Sequence, residues 1–341
     1  MGAVLALDVG GTKLAAAVVD DRARVLGRSR VPSPVGHDPE ALYEALLVCC
    51  IAALRGADAT PGELAGVGVS CAGPMAWPAG EVSPLNMPAW RGFPLRRRLI
   101  EEFGVAPVLI HNDAVGVAVG EHWKGAGIGT RNLLGMTVST GVGGGLILGG
   151  HLYHGSSGNA GHVGHVVVER DGPACVCGGR GCLEAVASGP NTVRRALAEG
   201  WQPPAPASGA ADGPADGAAL AAAASAGDPV AVRNLARAGR GVGVAVASCA
   251  ALLDLEVVAI VGGFSKSGAQ FWEPLQEAFH AHARMDFAAA CQVVPGKLLD
   301  DAPLLGAAAF VHDSGHYGWD PDTGADPTRP TGAAPKMESR S

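Results

Sequence analysis

Val4-Leu5-Ala6-Leu7-Asp8-Val9-Gly10-Gly11-Thr12-Lys13 runs on into Leu14-Ala15-Ala16-Ala17-Val18-Val19. Two short apolar, partly β-branched runs flank a glycine turn, which predicts strand, tight turn, strand. The device recurs at Leu133 to Val138, where Ser139-Thr140-Gly141-Val142-Gly143-Gly144-Gly145 leads into Leu146 to Leu148. One copy in each half predicts an α/β chain built from two halves of similar design. A length of 341 residues agrees, being long for a single core.

Between the two hairpins, Pro39 to Leu54 has helical spacing, Leu64 to Val69 reads as a buried strand, and Val108 to His111 reads as a strand entering Asn112-Asp113. Ala114 to Trp123 is an expected helix. Further on, Pro190 to Glu199 and Ala218 to Leu253 carry helical patterns, Val257 to Val261 is a strand ending at Gly262-Gly263, and Ala302 to Val311 is a final buried helix. Residues 203–217 are Pro, Ala, Gly and Ser with little to bury, an expected flexible insertion. Beyond about Asp313 the Pro, Gly, Ser and charge content predicts a disordered tail over 313–341.

A phosphate cradle needs backbone N–H groups that converge on an anion, and glycine permits that close approach. Three turns qualify: Asp8 to Lys13, Ser139 to Gly145, and Gly262 to Lys266. None has the Gly-x4-Gly-Lys-Ser/Thr spacing, and no Gly-x-Gly-x-x-Gly follows a strand and opens a helix. A lone Gly-Gly turn is usually only a turn, so the weight rests on the matched pair of hairpins. Asp8, at a strand end before the first pair, is placed to hold Mg2+ through water or, more plainly, to cap the turn.

His165, Cys175, Cys177 and Cys182 fall as His-x9-Cys-x-Cys-x4-Cys. Four such ligands satisfy the tetrahedral demand of a structural Zn2+ and leave no open position for water. Cys49, Cys50, Cys71, Cys249 and Cys291 lie in apolar contexts and read as reduced core residues. A formal charge of −7 without Lys/Arg blocks argues against a life on nucleic acid or anionic membrane. The apolar run from Val242 to Val261 is broken by Asp254 and Glu256, and nothing before Asp8 resembles a secretion signal, so a cytoplasmic protein is expected.

Taken together, Asp8-Val9-Gly10-Gly11-Thr12-Lys13, His111-Asn112-Asp113-Ala114, Ser139 to Gly145, and Gly164-His165 through Gly181-Cys182-Leu183-Glu184 resemble the ROK family of sugar kinases and repressors, over roughly residues 3 to 312. The resemblance implies an actin-like (ribonuclease H-like, hexokinase-like) fold in which two α/β domains close on sugar and ATP. It places an N-terminal domain at 1–117, a C-terminal domain at 118–301 with a zinc-binding segment at 161–184, and a last helix at 302–312 that returns to the first domain. The hairpins would hold the nucleotide phosphates through Asp8, Gly10, Gly11, Thr12, Lys13, Thr140, Gly141 and Gly143, with Gly262 and Gly263 near the adenosine. Asp113 matches the family's general base, and Gly73, Asn86, Asn112, Asp113, His162, His165 and Glu184 fall in the sugar pocket. His165 would then serve sugar and metal together.

The implied reaction is ATP-dependent phosphorylation of the primary hydroxyl of a hexose, glucose first, with Mg2+ accompanying the nucleotide and a homodimer or larger assembly as the expected state. Repressors of the family carry a DNA-binding segment before the first phosphate motif, which here begins at Asp8, so a kinase is expected over a sugar-responsive regulator. One position departs from the pattern. The usual Glu-x-Gly-His is His162-Val163-Gly164-His165. A carboxylate accepts from two hydroxyls at once, whereas a neutral imidazole offers one acceptor and one donor. The change leaves three outcomes open: a tolerated variation serving glucose, a site for an N-acylhexosamine, or one for a C7 cyclitol.

Overall fold

The computed structural model describes residues 2–203 and 216–325. Twelve strands occur among them: β1 Ala3–Val9, β2 Lys13–Val19, β3 Val25–Pro32, β4 Leu64–Cys71, β5 Met75–Ala76, β6 Glu81–Val82, β7 Val108–Asn112, β8 Leu133–Val138, β9 Val142–Leu148, β10 His151–Leu152, β11 Val257–Val261 and β12 Gln292–Pro295. The two glycine hairpins are the seeds of two five-stranded sheets, ordered β3-β2-β1-β4-β7 and β10-β9-β8-β11-β12. In the first, β1 is antiparallel to β2 and parallel to β4; in the second, β8 is antiparallel to β9 and parallel to β11. Val9 faces Leu14 across one turn and Val138 faces Val142 across the other, so the halves match in register as well as order.

Helices cover the sheets. In α1, Pro39–Gly56, Asp38 caps the N-terminus by accepting from Glu40 N at 2.9 Å and Ala41 N at 3.3 Å, and Leu42, Leu46, Cys49, Cys50 and Ala53 are buried on one face. Such a cap contributes about 1 kcal/mol, while the apolar stripe supplies most of the helix's hold on β2 and β3. Helix α2, Leu95–Phe103, buries Leu95, Leu99 and Phe103. Helix α3, Asp113–Lys124, packs between the two sheets, and its Glu121 is wholly buried with backbone partners at Ala126 N (2.8 Å), Lys297 N (3.0 Å) and Leu298 N (2.8 Å). The expected boundary at 117 and 118 thus falls inside one continuous helix.

Helices α4, Leu183–Ala187, and α5, Gly189–Ala198, follow the cysteine segment. The expected helix over 218–253 is two: α6, Gly217–Ser225, and α7, Pro229–Leu253. The break is chemical, because Gly227 sits at φ +89 and Asp228 caps α7 with Pro229 in its first turn. Helix α7 is long and apolar enough to cross a bilayer, yet it is a core helix here: it packs on α8, Ala269–His282, with Ala238, Val242 and Ala245 fully buried. A short α9, Asp286–Ala289, precedes β12, and α10, Ala302–His312, lies against the first sheet, where Ser70 Oγ donates to Pro303 O at 2.8 Å.

The tail expectation needs correcting. Residues 313–325 form a docked segment that begins with α11, Ser314–Tyr317, and buries Tyr317 and Trp319 to 3% and 4% exposure. Two large aromatic side chains suffice to seat a stretch whose overall composition is that of a tail. The rest of the tail, 326–341, and most of the insertion expected at 203–217 lie outside the described residues.

Candidate active site

Parallel strands bring their carboxyl ends to one edge of a sheet, and ligand crevices open there. Here β1, β4 and β7 end at Val9, Cys71 and Asn112, and β8 and β11 end at Val138 and Val261. The residues just at or past these ends line one cavity of about 680 Å³ between the sheets. Of the expected site residues, Asp8, Gly10, Gly11, Thr12, Lys13, Gly73, Asn86, Asn112, Asp113, Thr140, Gly141, Gly143, His162, His165, Glu184 and Gly262 all face it. Gly263 does not line it and sits one position beyond, near Ser139.

The first wall is charged. Asp8 is 6% exposed, with Lys13 Nζ 3.7 Å from its carboxylate. Burial pushes the Asp8 carboxyl up to about 6; Lys13 opposes that rise and the nearby Asp113 adds to it. Asp113 opens α3, where its Oδ1 and Asn112 Oδ1 both accept from Ala114 N, at 2.8 and 3.0 Å. Burial raises the Asp113 carboxyl above its usual range, while the helix-end N–H groups of Ala114 and Asp113 itself and the nearby His162 pull it back. Asn112 can reach the cavity because Gly73 lies beside it: a Cβ at Gly73 would come within 2.8 Å of Asn112 Nδ2. Asn86 covers the first glycine turn, with its side-chain amide 2.7 Å from where a Gly11 Cβ would be.

The opposite wall holds hydroxyls, imidazoles and thiols. Glu184 reaches the second hairpin and accepts from Val142 N at 2.5 Å; burial raises its carboxyl, with His165 and that N–H opposing. His162 Nδ1 lies 3.1 Å from Asn159 O. A carbonyl only accepts, so Nδ1 carries the proton and neutral His162 keeps Nε2 as its single acceptor. Its ring runs nearly parallel to that of His165, 6.4 Å away.

The donor atoms of His165, Cys175, Cys177 and Cys182 lie within 4.8 Å of one another, with Cys177 Sγ and Cys182 Sγ 3.7 Å apart and His165 Nδ1 3.9 Å from Cys175 Sγ. Tetrahedral zinc–sulfur bonds of about 2.3 Å place sulfurs roughly 3.8 Å apart, so the donor set fits Zn2+ in both chemistry and spacing. Local backbone bonds build this shape: Cys175 N donates to Gly179 O and Leu183 N to Val166 O, each at 2.9 Å. Glu169 then pairs with Arg237 at 2.6 Å and moors the segment to α7.

Sequence reasoning missed several cavity residues. Trp77, His111, Gly158 and Asn159 line the cavity, and His154 lies just behind. His111 Nδ1 accepts from Asn112 N at 2.8 Å, which leaves Nε2 to donate to His154 Nδ1 at 3.3 Å. Burial and the neighbouring His154 hold His111 well below its ordinary value, so the ring is neutral. Its place immediately before Asn112-Asp113 was the available signal.

Comparison with known proteins agrees with this geometry. The profile of the ROK family matches residues 4–314. The glucokinase of Streptomyces coelicolor is 34% identical over 321 residues, covering 92% of this chain and 98% of that one. The N-acetylmannosamine kinase of Citrobacter koseri is 36% identical over 317 residues, covering 92% and 96%. Among solved structures, a ROK family glucokinase from Streptomyces griseus in complex with glucose and AMPPNP is 33% identical, covers 91% of this chain and 99% of its own, and superposes with a TM-score of 0.74.

Proposed function

The chain belongs to the ROK family and has its actin-like two-domain fold, and from that premise we propose that it is an ATP-dependent sugar kinase acting on the primary hydroxyl of a hexose. The observation that carries this reading is the convergence of both glycine turns and Asp113 on one cavity. Phosphoryl transfer asks a protein mainly to position reactants and to stabilise charge. The two glycine turns would cradle the phosphates through Gly11-Thr12 and Thr140-Gly141, since the N–H groups of Gly10 and Val142 already donate to Lys13 O and Glu184, and Asp113 faces the acceptor. As the hydroxyl oxygen bonds to the γ-phosphorus, the bond from that phosphorus to its leaving oxygen breaks and Asp113 takes the hydroxyl proton. The products are a sugar 6-phosphate and ADP.

Mg2+ bound with the nucleotide would neutralise phosphate charge, and buried Asp8 is the carboxylate that would hold it through water. Zn2+ would be held by His165, Cys175, Cys177 and Cys182 and would fix the wall that presents His165 and Glu184. Glucose is the acceptor suggested by the glucokinase relatives. A 2-acylamino hexose of the N-acetylmannosamine type is the second reading, and His162 favours it. The imidazole withdraws a negative charge and one acceptor from the pocket, which weakens the case for two adjacent hydroxyls there.

ADP release measured over glucose, mannose, N-acetylmannosamine, N-acetylglucosamine, fructose and C7 cyclitols tests both levels. No release with any of them would sink the kinase reading in favour of a sugar-responsive regulator. His162→Glu should move kcat/KM towards glucose by about tenfold relative to N-acetylmannosamine, and a change below ~1 kcal/mol would deny His162 a part in specificity.

A further inference from the structure

The family match ends at residue 314, yet the chain continues as an ordered strap that touches both halves of the molecule. Its anchors are specific. His122 Nε2 donates to Thr130 O at 2.7 Å, so His122 Nδ1 accepts from Tyr317 Oη at 2.7 Å, fixing the strap to the end of α3. His316 stacks on His151 of β10 at 5.1 Å, and Asp322 pairs with Arg96 of α2 at 3.2 Å.

Between these anchors Trp319 enters a cluster of rings directly behind the cavity. Its ring centroid lies 5.3 Å from His111, 5.3 Å from His154, 5.4 Å from Phe310 and 6.0 Å from Trp77. The first three contacts are edge-on, the geometry in which aromatic pairs attract. Trp77 in turn stacks on His154 at 5.0 Å and lies flush on Gly158, where a Cβ would be 2.5 Å from the indole. His111 directly precedes Asn112-Asp113, whereas His154 and Gly158 belong to the loop that runs on to Asn159 and His162. The ring cluster therefore joins the strand end bearing Asp113 to the loop bearing His162, and Trp319 is its keystone from outside the cavity.

We propose that Trp319 is a positioning residue for the sugar: by filling the space behind Trp77, His111 and His154, the docked strap sets the spacing between Asp113 and the 158–162 loop. Among the described residues its anchors and ring contacts are Arg96, His122, His151 and the cluster of Trp77, His111, His154 and Phe310, all outside the glycine turn at Gly10 to Lys13. Its effect therefore falls on the sugar and spares the nucleotide. This inference rests on the sugar-kinase reading for its kinetic test, but its structural content can be measured without substrate.

The experiment compares wild type, Trp319→Ala, Trp319→Phe and Tyr317→Phe in the full chain. For Trp319→Ala, sugar KM should rise about tenfold while ATP KM stays within about twofold, since small misplacements of a bound reactant are costly. Trp319→Phe should recover most of the loss, and Tyr317→Phe, which removes one hydrogen bond, should show a rise of about two- to threefold in sugar KM. Amide hydrogen exchange read in parallel should quicken over 153–162 in Trp319→Ala and stay unchanged over 10–13. Equal movement of sugar and ATP KM, or exchange over 153–162 matching wild type, would overturn the proposal. Should Trp319→Ala fail to fold, Trp319→Phe and Tyr317→Phe decide by the same readouts. If wild type phosphorylates no sugar, the kinase reading falls, and the exchange measurement alone still decides whether the strap holds the loop.

Discussion

The two walls of the cavity start from the same hairpin and end with different chemistry. The wall built on β1, β4 and β7 concentrates charge: Asp8, Lys13 and Asp113 stand at strand ends, and Lys13 and Asp113 act in opposite directions on the Asp8 carboxyl. The wall built on β8 and β9 brings no charge from its own turn. It borrows Glu184 from the segment beyond the cysteines, through the 2.5 Å bond to Val142 N. Gly189 N adds a second tie, donating to Ser139 O at 2.7 Å. One wall is thus charged and rooted in its sheet, while the other is a shaped surface tied to the cysteine-bearing loop. Removing a group from the first should cost chemistry, and loosening the second should cost fit.

The sharpest way to separate the walls is Asp113→Asn. The substitution keeps the shape and the cap of α3 but removes the proton acceptor. Turnover should fall by about 10³-fold, the middle of the range for a lost general base, with sugar affinity by calorimetry nearly unchanged. Because burial raises the Asp113 carboxyl, the acid limb of wild-type kcat/KM should break at a higher pH than an exposed aspartate's. Protonated Asp113 cannot accept the hydroxyl proton, so activity is lost as pH falls. Turnover within tenfold of wild type in Asp113→Asn would remove it from the chemistry.

How far this contrast was legible in the sequence follows from where the information sits. Both hairpins could be read because a short apolar run against a glycine turn is a local signal, and Asp8 because it stands at such a strand end, whereas the role of Asp113 came from the resemblance of its motif to the family's. Local spacing would also have revealed α2, whose Leu95, Leu99 and Phe103 fall on one helical face, and Gly227-Asp228-Pro229 was an unread signal for the break inside the expected long helix. The strap at 313–325 was not legible. Tyr317 and Trp319 are isolated apolar residues in a polar stretch, and their burial depends on a socket made by Trp77, His111, His154 and Phe310. The same holds for the tie from Glu184 to Val142, 42 residues apart.

A middle-sized effect should come from loosening the second wall. If the cluster of His165, Cys175, Cys177 and Cys182 holds Zn2+, elemental analysis should find one zinc per chain. Removing it by chelation, or replacing Cys182 by Ser, should lower Tm by about 5–10 °C. Sugar KM should rise about tenfold, as is usual when the support of a site is lost. ATP KM should rise with it, because Glu184 carries the disturbance to the second hairpin. Active protein free of zinc, with an unchanged Tm after chelation, would show that the second wall stands by itself.

The smallest effect has the most informative sign. Asp8 is buried, and its carboxyl sits at about 6 rather than 3.8. The folded protein therefore binds that proton more tightly than the unfolded chain, and wild-type stability falls as pH rises from about 4 to about 6. Above that window the folded state carries a charge it would hold more cheaply in water. The whole rise is equivalent to about 3 kcal/mol, an upper limit because the nearby Lys13 loses its partner when Asp8 is replaced. Asp8→Asn should thus melt about 2–5 °C above wild type at pH 7.5 without nucleotide or metal, and at the same temperature as wild type near pH 4. It should also be nearly inactive, since the carboxylate that would hold Mg2+ through water is gone. A melting curve for Asp8→Asn at or below wild type at pH 7.5 would mean that the Lys13 pair outweighs burial. The first wall would then be held together by its charges, whereas a melting point above wild type would mean that burying the Asp8 carboxylate costs more than Lys13 returns.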